Sequence, residues 1–213
     1  MNLTENSIFL FSKTPHSGVT HLPILEILFF QPAIDFSRYD AIVLTSKQAV
    51  AALEKISPDW RSVPVLSVSS KTAETVRKAG GKLLETGGGY GDSLAEIIIK
   101  KYASYRWLYP RPRVVASDFK ESVLKAGVKM DALIVYETTC NPACQNIELP
   151  DDATLIFTSP FTVACFLEFF ELKTSHKVVV IGKTTAKALP RQIKYCMPDE
   201  ATVDAAVLLA QKL

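Results

Sequence analysis

Apolar residues fall in short unbroken runs, and a polar, hydroxyl-rich turn follows several of them. Ala41-Ile-Val-Leu44 is followed by Thr45-Ser46 and then a helical pattern over 47–55. A continuous apolar run of that length predicts a strand buried on both faces, as in a parallel sheet. Thr or Ser just ahead of the helical pattern is an N-cap signal. The same grammar gives a strand at Val63-Pro-Val-Leu-Ser-Val68 and a helix opened by Ser69-Ser-Lys-Thr72, running through 78 and closed by Gly80-Gly81. Next come a short strand at Leu83-Leu84, a loop at Gly87-Gly-Gly-Tyr-Gly-Asp-Ser93, and a helix over 94–102 capped by Asp92 or Ser93. Trp107-Leu-Tyr109 predicts a strand, 117–126 a helix stopped by Gly127, and 133–139 a further strand. After Thr154-Leu-Ile-Phe157 the pattern gives a helix over 161–170, a strand over 178–181, a helix over 185–189 and a closing helix over 202–212. At the start, Ser7-Ile-Phe-Leu-Phe11 has strand length, Pro23 keeps the beginning of 21–30 extended, and Gln31-Pro-Ala-Ile-Asp35 reads as a linker.

The chain repeats itself. Thr45-Ser46 and Thr158-Ser159 stand 113 positions apart, and at that spacing Val43 meets Ile156, Val50 meets Val163, Thr72 meets Thr185 and Ala73 meets Ala186. Solenoid units run about 20 to 50 residues, so this is a duplicated domain half. Strands alternating with helices imply right-handed βαβ units. The expected fold is α/β: two similar Rossmann/flavodoxin-like lobes with parallel sheets, joined by a two-stranded linker. The C-terminal block is short of strands, and the run near the N-terminus supplies one. The expected division is therefore 1–28 with 142–213 as a discontinuous terminal lobe, 36–132 as an inserted middle lobe, and linkers at 29–35 and 133–141.

Composition narrows the function classes. The 213 residues are 48% hydrophobic and 22% charged, with a net charge of +2, so no strong field points to nucleic acid or an anionic membrane. No apolar run reaches the length of a membrane span, and the first residues lack the positive start of a signal peptide. Cys140, Cys144, Cys165 and Cys196 show no disulfide-framework pattern, which predicts a reduced, cytoplasmic protein.

Ligands of open α/β sheets sit beyond the carboxyl ends of the strands. Thr45, Ser46, Ser69, Thr72, Ser159, Lys183, Thr184 and Thr185 all fall there. Helix N-terminal N–H groups with neighbouring hydroxyls suit carboxylate or phosphate. Any one of these residues could be no more than a helix cap, but matched turns in two lobes point to an anionic ligand gripped between them. Gly182-Lys-Thr-Thr185 lacks the upstream glycine of a Walker loop, and no Gly-x-Gly-x-x-Gly follows a strand. The Gly87–Gly91 loop reads as flexible rather than phosphate-binding. Cys140-Asn-Pro-Ala-Cys144 has metal-compatible spacing without a second ligand pair. His16, His21 and His176 are scattered, which argues against a nucleophilic hydrolase. Arg111 and Arg113 follow a strand and could pair with carboxylates or stay solvated. Tyr136 lies on the strand that leaves the middle lobe, where it would be either a cleft residue or a core tyrosine.

Asp40-Ala-Ile-Val-Leu-Thr-Ser-Lys-Gln-Ala-Val50, Ser69-Ser-Lys-Thr-Ala73, Val135-Tyr-Glu-Thr138, Ile156-Phe-Thr-Ser-Pro160, Ile181-Gly-Lys-Thr-Thr-Ala-Lys-Ala-Leu189 and Pro198-Asp-Glu-Ala-Thr202, in this order and spacing, resemble uroporphyrinogen-III synthases. The resemblance implies closure of linear hydroxymethylbilane to uroporphyrinogen III, with inversion of the last pyrrole ring and loss of water. It implies no metal or organic cofactor. It also implies a substrate with eight carboxylates held largely by loop amides and hydroxyls. The family tyrosine falls on Tyr136, which would help the substrate hydroxyl depart; Thr72, Thr185, Ser46 and Ser159 fall on substrate-binding turns. Thr45, Ser69, Arg111, Lys183 and Thr184 complete the expected contacts. The expected partner is the small-molecule tetrapyrrole, with at most a transient contact to the preceding bilane-forming enzyme, no nucleic acid and no membrane, for a monomer. The family opens with a strand and a long first helix, and here residues 15–20 are too few for that helix. The rival readings are a two-lobed small-anion binding module and a degenerate synthase-like regulatory domain.

Overall fold

The computed structural model describes residues 8–115 and 117–213. Ser7, expected at the start of the first strand, and the leading segment read for a signal lie outside the described residues. The chain divides into two compact units. One holds the chain up to Glu26 together with Thr139–Leu213, the other Ile27–Thr138.

The first unit opens with β1 (Ile8–Phe11) and β2 (Thr20–Leu22), which pair in parallel. A parallel crossover normally takes a dozen or more residues and a helix. Here only the loop between Phe11 and Thr20 intervenes, and it contains no helix. His16 anchors this loop by a 2.7 Å bond from Nε2 to Asp204. β3 (Leu25–Phe29) then carries the chain into the second unit.

That unit contains β4 (Ala41–Leu44), α1 (Lys47–Ile56), β5 (Val65–Ser67), α2 (Ser70–Lys78), β6 (Leu83–Thr86), α3 (Gly91–Lys101), β7 (Trp107–Pro112) and α4 (Phe119–Lys125). β8 (Met130–Cys140) leads out. The sheet order is β3-β8-β7-β4-β5-β6. From β8 to β6 every pair is parallel. β3 runs against β8, since residue 30 bonds to 135 while 24 bonds to 141. All four residues of β4 are fully buried, as its unbroken apolar run requires. Ile42 and Leu44 face the layer of α1, with Val50, Leu53 and Trp60; Ala41 and Val43 face that of α3 and α4, with Leu94, Ile98 and Phe119.

The chain re-enters the first unit and completes it with β9 (Thr154–Phe157), α5 (Pro160–Phe169), β10 (Lys177–Val180), α6 (Lys183–Ala186) and α7 (Val203–Ala210). Its sheet is β10-β9-β1-β2, parallel throughout. Phe11, Phe157 and Phe166 pack ring to ring on one face, and α7 covers part of the other through Ala206 and Val207.

The sequence repeat is structural: β9 sits 113 positions after β4, and α5 is capped by Ser159 as α1 is by Ser46. Three expectations change. The helix expected over 185–189 is the single turn α6, with Gly182 in place of a capping side chain and Pro190 beyond. The helix expected over 94–102 begins at Gly91, so neither Asp92 nor Ser93 is its N-cap; Tyr90 is. The expectation of four free thiols is corrected by a disulfide between Cys140 and Cys165, whose Cα atoms are 5.2 Å apart. It also removes Cys140 as a metal ligand. Cys144 and Cys196 are free.

Candidate functional site

Three adjacent parallel strands end side by side in the second unit: β8, β7 and β4. Thr45-Ser46 follows the end of β4, Tyr109 lies within β7, and Tyr136 lies within β8 where it pairs with Pro112 at the end of β7; all four line one cavity of about 360 Å³. Parallel strands put every carboxyl end on one edge, so residues far apart in sequence become neighbours there. Tyr90 and Gly91 at the start of α3, Val114, Val115 and Ser117 of the loop before α4, and Phe119 complete most of the wall. Among the described lining residues none is ionised at neutral pH.

The hydroxyls form a group. Ser46 Oγ accepts the N–H of Gln48 at 3.1 Å and so caps α1. Thr45 Oγ1 lies 3.5 Å from the Tyr109 hydroxyl. Tyr136 is 5% exposed, and burial raises its pKa above the ordinary phenol value; the Ser46 side chain acts in the opposite direction, and Tyr109 adds a small upward push. Tyr109 is raised for the same reason, offset by Thr45 and by Arg111. Both phenols are therefore neutral, hydrogen-bearing donors at pH 7. The N-termini of α1 and α3 border the same space, so their dipoles favour negative charge there.

The other expected contacts lie elsewhere. Ser69 caps α2 by accepting Thr72 N–H at 3.4 Å, and the Thr72 side chain is buried. The Arg111 guanidinium is turned onto its own chain, donating to the carbonyls of Pro112 (2.8 Å) and Arg113 (3.0 Å). Arg113 pairs with Glu137 and lies over the ring of Phe30. In the first unit, Ser159 and Thr162 exchange bonds in a capping box at the start of α5. Lys183 and Thr184 are exposed, while Thr185 is buried. The structure thus brings together Thr45, Ser46 and Tyr136, and leaves Ser69, Thr72, Arg111, Ser159, Lys183, Thr184 and Thr185 outside that cavity.

Tyr109, Tyr90 and Phe119 are the aromatic lining residues that the sequence reading did not assign to the site. A signal existed for Tyr109, since it lies on the strand between β4, which Thr45 follows, and β8, which carries Tyr136; the strand order needed to read it comes only with the sheet.

The doubled α/β fold gathers neutral hydroxyls and two helix N-termini around a cavity whose described lining holds no ionised side chain, an arrangement that suits a negatively charged group. A sequence model of the family described as uroporphyrinogen-III synthase HemD matches residues 18–207. The chain belongs to the uroporphyrinogen-III synthase family, cyclising lyases of tetrapyrrole biosynthesis. This membership favours the synthase over a binding module. The fold is similar to that of uroporphyrinogen-III synthetase from Helicobacter pylori 26695, at 23% identity and a TM-score of 0.76, covering 98% of this chain and 99% of that one. A mutant uroporphyrinogen III synthase from the extremely thermophilic bacterium Thermus thermophilus is 16% identical with a TM-score of 0.53, covering 98% of each chain. No curated protein matches the chain by sequence. Among the described residues no helix is long and apolar enough to cross a membrane.

Proposed function

We propose that the second-unit cavity holds the reacting end of hydroxymethylbilane, with Tyr136 donating a hydrogen bond to the departing hydroxyl. The observation that carries this reading is a buried, neutral phenol in a cavity whose described lining offers no carboxylic acid, imidazole or ammonium. As the C–O bond breaks, electrons from the pyrrole nitrogen fill in to give an azafulvene cation. The hydroxyl leaves as water with a proton drawn from solvent through the Tyr136 hydrogen bond, and loss of the α-hydrogen of the attacked pyrrole as the ring closes releases one proton in return. Thr45, Ser46 and the first turn of α1 receive a carboxylate of the same ring. The cavity is smaller than a whole linear tetrapyrrole needs, so further carboxylates fall to other groups. Ser69, Thr72, Arg111, Ser159, Lys183, Thr184 and Thr185 are proposed for them, the buried threonines by shaping their turns and Arg111 after release from its backbone carbonyls. Geometry rather than acid strength then decides the product, because the uncatalysed closure gives the uninverted isomer.

The same reading makes the protein a cytoplasmic monomer acting on a small molecule, with no nucleic acid, membrane or organic cofactor, and at most a transient contact with the enzyme that forms the bilane. The family reaction needs no other partner, which supports this. A cytoplasmic place requires the Cys140–Cys165 bond to persist against the thiol reductants there.

The test is an isomer assay. Hydroxymethylbilane generated in situ is closed with and without the protein, and the oxidised products are separated. Predominant uroporphyrin III is expected; isomer I alone, at the protein-free rate, would refute the reading.

A further inference from the structure

Tyr90 is placed at a cost to local stability that no contact recorded among the described residues repays. It is 79% exposed, the most exposed aromatic side chain among the described residues. It occupies the N-cap of α3 and makes no capping bond. At the same position α1, α2, α5 and α7 carry Ser46, Ser69, Ser159 and Thr202, and each accepts a backbone N–H. Ser, Thr, Asp or Asn is what an N-cap favours, and an apolar ring is what water disfavours.

The backbone beneath the ring is nevertheless well held. Gly87 and Gly89 donate to the carbonyls of Ser67 and Val68 at 2.8 Å. Ser93 Oγ donates to Tyr90 O at 2.7 Å and accepts from Gly88 N at 3.0 Å. Gly89 has φ +96°, which a side chain would strain. A Cβ on Gly91 would come within 2.0 Å of Ser117 Oγ. The glycines therefore serve to fix a tight turn, and the turn carries one free aromatic ring on the wall of the cavity that Tyr136 lines.

We infer that Tyr90 is a substrate-contact residue, an aromatic platform that stacks on a pyrrole ring of the linear tetrapyrrole at the mouth of this cavity. The inference rests on the proposed use of the cavity and adds a residue that selects planar, electron-rich rings. Aromatic pairs gain modestly from offset or edge contacts beyond the area they bury. The contact does not change during C–O cleavage, so it contributes equally to ground and transition states and is read in KM rather than kcat.

The experiment measures steady-state kinetics on freshly generated hydroxymethylbilane, with melting temperatures, for Tyr90→Phe, Tyr90→Ala and Tyr90→Ser, alongside Tyr136→Phe. Tyr90→Ala and Tyr90→Ser are expected to raise KM on the order of fivefold with kcat little changed, and Tyr90→Phe to stay near the parent. Tyr90→Ser is also expected to melt at or above the parent temperature, because it supplies the missing cap; a merely structural tyrosine would melt lower. An unchanged KM in Tyr90→Ala, or equal loss in Tyr90→Phe, overturns the inference. With Tyr136→Phe impaired, an unchanged Tyr90→Ala removes Tyr90 alone. With Tyr136→Phe silent, a raised KM in Tyr90→Ala upholds Tyr90 and removes the Tyr136 reading. Silence in both removes the cavity as the substrate site.

Discussion

Thr45 Oγ1 and the Tyr109 hydroxyl face each other at 3.5 Å, too far for a strong O–H···O bond, which prefers about 2.7–2.8 Å. The Tyr109 ring itself is fixed, packed on Phe119 with centroids 4.9 Å apart. Its hydroxyl is thus loosely held inside a tightly held ring, beside the cavity that Tyr136 lines. Tyr136→Phe is expected to lower kcat roughly 100-fold, the usual effect of losing one positioned donor, while the product remains isomer III. Tyr109→Phe is expected to lower kcat only a few-fold, because the proposed mechanism gives the departing group to Tyr136 and leaves the Tyr109 hydroxyl a supporting place. Rate and isomer ratio measured on the same samples check both. Mostly isomer I from Tyr136→Phe would show that the phenol controls geometry as well as rate.

The pH dependence of that donor follows from its burial. In the proposed role Tyr136 acts only while protonated, and burial raises its pKa above the ordinary 10. Activity dependent on the phenol is present below that pKa and lost as pH rises through it. The alkaline limb of kcat is therefore expected above pH 10, with no phenol-linked loss between pH 7 and 9. A kcat that halves near pH 8, in the parent but not in Tyr136→Phe, contradicts a phenol shifted upward.

Trp60 and Gly81 give a stability prediction independent of the chemistry. A Cβ on Gly81 would lie 2.4 Å from a ring carbon of Trp60 and 2.9 Å from Val76 Cγ1. Trp60 is fully buried and cannot yield easily, as its indole N–H is bonded to Glu54 at 2.7 Å. Gly81→Ala is expected to destabilise by about 1–3 kcal/mol, the usual cost of overpacking. Gly80→Ala meets only the flexible Arg61 side chain, but it forces φ +81° on an L-residue, for about 1–2 kcal/mol. Urea unfolding at constant m-value reads both.

These pairs also show which parts of the structure were legible in the sequence. The buried strands were, because residues such as Ile42 and Val43 pack on both faces and leave no polar position to blur the run. So were the starts of α1, α2 and α5, because Ser46, Ser69 and Ser159 cap by short-range bonds. The burial of Trp60 was not: it depends on the absence of a side chain at Gly81, on another element. Nor was Tyr90 at a cap, because the local rule names other residues there. Of the site, Thr45, Ser46 and Tyr136 could be named, but the neighbourhood of Tyr109 and Tyr136 needed the order of β7 and β8. The inward turn of Arg111 onto two carbonyls has no sequence signal.

The pairing of Cys140 with Cys165 is the strongest departure from the sequence reading, since a separation of 25 residues among four cysteines selects no partner. The bond ties the end of β8 to α5 within the first unit, against the core around Phe166. Closing a loop of that size removes unfolded-state entropy worth about 3.5 kcal/mol in the chain-entropy model. The double variant Cys140→Ala/Cys165→Ala is expected to lose up to that amount and to become indifferent to reductant, whereas the parent melts lower once reduced. Alkylation followed by mass measurement checks the bond directly. Without reductant, the exposed Cys196 reacts in the folded protein and the buried Cys144 only after unfolding, giving two modified thiols. Reduction before unfolding raises the number to four. Four modified thiols without any reductant would show that the two sulfurs are held together as thiols, and the double variant would then cost only the cavity left by the side chains removed.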